Sequence, residues 1–106
     1  MNSVKDVLEE ELKYVLDLKK HYQENIEQLP KGSISKKIIS GKEYLYLQYR
    51  AGRKVFCNFL KMSVADLKYL KEKIQKREKY KKLLKEVEQK IMYLRKLSNV
   101  RLYRAS

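Results

Sequence analysis

This sequence has little to break a helix and little to bind a metal. Its 106 residues hold one proline, three glycines, one histidine, one cysteine and no tryptophan. So few breakers favour a small number of long elements. A lone thiol, Cys57, excludes an internal disulfide and a cysteine metal cluster, and fits a reducing cytoplasm, where it reads as a small strand residue. His21 stands beside Lys19 and Lys20 with no second imidazole or thiol at ligand spacing, so it reads as a surface histidine. No metal and no other cofactor is expected. Long apolar runs are absent too, and the opening Met1-Asn2-Ser3-Val4-Lys5-Asp6 lacks a signal-like apolar segment. The chain therefore reads as soluble, cytoplasmic and not bound to membrane. Missing as well are a glycine-rich phosphate loop, a nucleophile elbow and a paired-carboxylate motif, which leaves no catalytic residues and a non-enzymatic reading.

What is abundant is positive charge. Lysine and arginine number 26 against 13 acids, a net charge of +13. An excess of that size favours polyanionic partners, nucleic acid first, and says nothing about fold. With 43% hydrophobic and 37% charged residues, the composition is that of a folded, helix-rich protein. The charge is uneven. Residues 1–29 hold seven acids and four bases, 30–62 one acid and eight bases, and 63–106 five acids and fourteen bases.

Ser3 and Asp6 have the spacing of an N-cap, and Val4, Leu8, Leu12, Val15, Leu18, Tyr22, Ile26 and Leu29 follow at helical steps. This predicts a helix over 3–29, stopped by Pro30 and Gly32. Between 33 and 60 the period falls to two and β-branched and aromatic residues crowd together, predicting strands at 33–39, 43–49 and 54–60. Their connections are short enough only for antiparallel neighbours. Ser63 followed by Asp66 caps a second helix over 63–97, with a fraying basic tail over 98–106. The fold class is α+β in a single domain: a long helix, a three-stranded antiparallel β-meander, and a long C-terminal helix. The acidic first helix and basic second one are expected to pair as an antiparallel, coiled-coil-like hairpin. Val87, Ile91 and Leu94 are expected to outrun the first helix, which would offer a homodimer contact through helix two.

The hairpin region mixes cations with aromatics. Strand alternation puts Tyr44, Tyr46 and Gln48 on one face and Leu45 and Leu47 on the other. If the leucines face the core, the tyrosines meet solvent with Lys36, Lys37, Lys42, Arg50, Arg53 and Lys54 nearby. Such a sheet can enter a major groove or stack unpaired bases while its cations neutralise phosphates. A plainer account makes the tyrosines cross-strand pairs and the lysines edge protection. The run KEKIQKREKYKK at 71–82 carries seven bases in twelve residues. Glu72 and Glu78 cannot pair them all, so Lys73, Lys76, Arg77 and Lys81 are expected to meet solvent or phosphate. The excess persists through Lys85, Lys90, Arg95, Lys96, Arg101 and Arg104.

The stretch Leu29-Pro30-Lys31-Gly32-Ser33-Ile34, Lys36-Lys37-Ile38, Gly41-Lys42-Glu43-Tyr44-Leu45-Tyr46-Leu47-Gln48-Tyr49-Arg50 and Gly52-Arg53-Lys54-Val55 resembles a family of small uncharacterised prokaryotic and mobile-element proteins. In these a tyrosine-rich hairpin is followed by a lysine-rich helix. The likeness covers residues 29–90 and implies the architecture rather than an activity. The three strands are also similar in pattern to the arm-type DNA-binding sheets of phage integrases. Two readings follow: a DNA- or RNA-binding protein, or a small phage protein that inhibits a nucleic-acid-handling complex in the manner of anti-CRISPR proteins.

Overall fold

Each helix begins at a serine. In the computed structural model, which describes residues 3–105 and side chains as far as residue 99, helix α1 spans Val4–Gln28. Ser3 and Asp6 cap it reciprocally: the Asp6 amide donates to Ser3 Oγ and the Ser3 amide to Asp6 Oδ2, both at 3.2 Å. Strands β1 (Ser33–Ile39), β2 (Lys42–Ala51) and β3 (Lys54–Leu60) follow. The last element is α2, Val64–Ala105. There the Asp66 amide donates to Ser63 Oγ at 3.1 Å and the Leu67 amide to the Ser63 carbonyl at 2.9 Å. Ser63→Ala is expected to lower stability by about 1 kcal/mol, read as a shifted urea midpoint; an unchanged midpoint would mean that this bond carries none.

The expected α+β fold is present, with one difference at its end. The stretch expected to fray from residue 98 is helical through Ala105, because nothing after Leu97 breaks a helix: no glycine or proline follows. The side chains of Arg101 and Arg104 lie outside the described residues.

The single domain expected over 1–106 is built as two compact units, one of Met1–Glu27 with Lys79–Ser106, the other of Gln28–Glu78. The first is an antiparallel pair of helices. Val15, Val87, Ile91 and Leu94 are buried, and Leu8, Leu12, Leu18 and Tyr22 pack against them. These are the stripe residues of the sequence, meeting as knobs along one seam. Lys90 Nζ reaches Glu11 Oε1 across that seam at 2.7 Å, the acidic helix meeting the basic one. Near the far end of the pair, Tyr22 and Tyr80 stand 5.9 Å apart and His21 meets Tyr80 edge-on at 6.3 Å. The residues proposed for a homodimer contact, Val87, Ile91 and Leu94, are therefore corrected: α1 is long enough to cover them, and they form the core of one chain.

The second unit holds the sheet, ordered β1-β2-β3, and α2 as far as Glu78, roughly its first third. Strand β2 is longer than its expected 43–49 because each connection is only two residues. Ile39 pairs with Lys42 and Ala51 with Lys54, drawing Lys42, Arg50 and Ala51 into the ladder. The β1–β2 turn has φ of +53° at Ser40 and +80° at Gly41, the two positive values of a type I′ turn, whose hand matches strand twist. On the sheet Ile34, Leu45, Leu47 and Leu60 are half-buried, as are Leu67, Leu70 and Ile74 of α2. A groove lined by Gly32, Ile34, Lys71, Ile74 and Glu78 sets the start of β1 against the helix. No strand residue is fully buried. A three-stranded sheet with one half-covered face leaves its other face to solvent.

Candidate nucleic-acid interface

Cross-strand partners point to the same face of a sheet, so the register decides which expected site residues stand together. Tyr44 pairs with Lys37, Tyr46 with Ser35 and Phe59, Gln48 with Ser33 and Cys57, Arg50 with Val55, and Lys42 with Ile39. These residues make one face, the one opposite Leu45 and Leu47. The structure thus brings together Lys37, Lys42, Tyr44, Tyr46, Gln48 and Arg50.

Three rings occupy this face. Phe59 lies 5.9 Å from Tyr44 and 5.6 Å from Tyr46, both pairs tilted. Lys37 Nζ sits 4.8 Å from the centre of the Tyr46 ring, within cation–π range. The tyrosines are half-buried, whereas Phe59 is 52% exposed. Lys37, Lys42, Gln48 and Arg50 are exposed around them. A ring cluster rimmed by cations can offer flat apolar area to a planar ligand and positive charge to an anion.

Other expected residues fall elsewhere. Lys36 points to the leucine face, where its ammonium meets Glu43 Oε1 at 3.3 Å. Lys54, paired with Ala51, shares that side, and Arg53 stands in the β2–β3 turn. Lys36 and Lys54 are thereby corrected as neighbours of the Tyr44/Tyr46 face. A one-residue step along a strand reverses the direction of a side chain. On α2, Lys73 Nζ lies 4.9 Å from the Tyr69 ring, and Tyr69, Glu72, Lys73 and Lys76 line a shallow depression. Arg77 belongs to the same unit, while Lys81 belongs to the helical pair.

Two features escaped the sequence reading. Phe59 lies within the expected strand 54–60 without a motif of its own, yet it bridges the two tyrosines; counting across the two-residue turn at Gly52-Arg53 places it opposite Tyr46. On the leucine face, Tyr49 and Phe56 stack at 5.3 Å and 16°, with Lys31 Nζ 5.9 Å from the Tyr49 ring. The same counting finds that pair.

Charge follows the sheet. Thirteen of the lysines and arginines, against four acids, fall within Gln28–Glu78. Among the described residues no three His, Cys, Asp or Glu side chains gather where they could hold a metal ion. No helix among them is long and apolar enough to cross a membrane. Comparison with family models, curated proteins and solved structures finds no match for this chain.

Proposed function

We propose that this chain is a non-enzymatic nucleic-acid-binding protein that contacts its ligand through the Tyr44/Tyr46/Phe59 face of the sheet. Lys37, Lys42 and Arg50 at the rim meet phosphates, and Lys73, Lys76 and Arg77 on α2 add to the positive field of the same unit. The observation that carries this reading is the ring cluster, with Lys37 over Tyr46 and Phe59 exposed, on a unit with thirteen bases and four acids. Exposed aromatic area alone would suit an apolar protein partner. Joined to so large a cationic excess, it suits a ligand with both planar bases and phosphates.

Fluorescence anisotropy with duplex DNA, single-stranded DNA and RNA tests this. Binding should fall steeply with salt. A complex that neutralises about six phosphates would lose roughly 10³-fold in affinity between about 50 and 200 mM salt. Absence of binding to all three at low salt would sink the proposal.

A second reading, contact with a protein of a nucleoprotein complex, draws on the exposed Val55 and Phe56 of edge strand β3. Retention of one protein partner after nuclease treatment would favour it.

A further inference from the structure

We infer that the sheet face selects unpaired bases, in single-stranded DNA or RNA, and that Phe59, beside Tyr44 and Tyr46, is its main stacking residue. This rests on the reading of the face as a nucleic-acid surface and adds which form of nucleic acid it takes.

Three observations lead there. The first is chemical: a sheet that reads a duplex through its groove presents hydrogen-bonding side chains to base edges. Here the face carries a cluster of Tyr44, Tyr46 and Phe59, with Cys57 next along β3. Phe59 has no donor or acceptor. Groups able to read an edge stand around the rings, Gln48 and Arg50 toward one end and Lys37 and Lys42 toward the other. Ring faces serve the π-face of a base, which a duplex keeps covered by its neighbours.

The second is spacing. Tyr44 and Tyr46 are two residues apart on one strand, about 6.8 Å. That is about twice the roughly 3.4 Å rise between stacked bases along one strand of a duplex. Successive bases resting on these rings must be unstacked from each other, as they are in an extended single strand.

The third is the placement of charge. Lys42 follows the β1–β2 turn, Arg50 stands near the β2–β3 turn, and Lys37 lies on the neighbouring strand. The cations stand at the two turn ends and along the β1 side of the aromatic patch, with Lys37 reaching over Tyr46 and Phe59 on the far side, on β3. A backbone running along the rim can then turn its bases inward onto the rings. Phe59, on edge strand β3 against both tyrosines, is 52% exposed, an area of apolar surface that stacking would cover.

The test uses the full chain with labelled oligo-dT and oligo-rU of about twelve nucleotides and a duplex of the same length. The unaltered chain should bind the single strands more tightly than the duplex. Phe59→Ala should weaken single-strand binding by roughly 5- to 100-fold and leave duplex binding almost unchanged, while Phe59→Tyr should retain both. A chain that binds duplex as tightly as single strand, with Phe59→Ala without effect, overturns this inference and leaves nucleic-acid binding standing. A chain that binds none of the three overturns both. Photocrosslinking of the unaltered chain to halogenated oligo-dU guards against a misfolded variant: adducts should map to Tyr44, Tyr46 or Phe59. Adducts confined to α2 would overturn the inference.

Discussion

Replacing Ile91 by alanine should remove about 2–5 kcal/mol of stability, a large part of the roughly 5–15 kcal/mol that a domain of this size possesses. Ile91 is 4% exposed, and its neighbours Val15, Val87 and Leu94 are 1, 8 and 7% exposed. These four are the only buried apolar residues among those described. Truncation removes three carbons from the centre of that small cluster. The cavity left between two helices can close only if the pair shifts, and a shift would disturb the Lys90–Glu11 contact along the same seam. Urea unfolding followed by helical circular dichroism measures the loss. Met92→Ala is the matched control, because Met92 lies one position along and is 60% exposed. Its effect should stay within about 0.5 kcal/mol. Equal losses in the two variants would mean that the seam is not where this chain keeps its stability.

Much of this fold is legible in the sequence because short-range chemistry sets it. Ser3 with Asp6 and Ser63 with Asp66 announce the helix starts, and the structure places capping hydrogen bonds at both. β1 and β3 have the expected limits, since glycine-bearing turns bound them. What the sequence left open are choices made by tertiary contact. The stripe of the second helix can be read from Leu67 to Leu94, but not which part of it α1 covers. Only pairing shows that Val87, Ile91 and Leu94 are enclosed within one chain while Leu67, Leu70 and Ile74 are half-buried beside the sheet.

The same distinction holds for the candidate site. Lys36 and Lys37 are adjacent cations with indistinguishable surroundings in the sequence, and the pleat sends them to opposite faces. One meets Glu43; the other lies over Tyr46. A cationic cluster counted along the chain therefore overstates what any one face presents. Aromatic positions were understated for the converse reason, as Phe59 joins Tyr44 and Tyr46 only through the β2–β3 register. Composition gives the sign of the net charge, and register decides which side chains share a face.

Gly32→Ala should be the most damaging single change in the second unit. Gly32 has φ of +122°, which a residue with a Cβ adopts at a cost of about 1–3 kcal/mol. A Cβ there would also lie 2.6 Å from the Gln48 carbonyl oxygen, 3.0 Å from Leu47 Cδ1 and 3.2 Å from Tyr49 Cβ. The closest of these is backbone in the central strand, so it cannot swing aside like the end of a side chain. Relief requires the start of β1 to move off β2, beginning at the Ser33–Gln48 pair that follows. Amide hydrogen exchange resolves where the damage falls. Protection should drop across β1 and β2, while amides around Val15 and Ile91 in the helical pair keep theirs. If the face binds single strands as proposed, that binding should weaken as well, because the shift carries Ser35 and Lys37 away from Tyr46 and Tyr44. Uniform loss of protection in both units would show that they unfold as one. Unchanged protection in β1 would show that the strand accommodates the methyl group and that the close approach at Gly32 is dispensable.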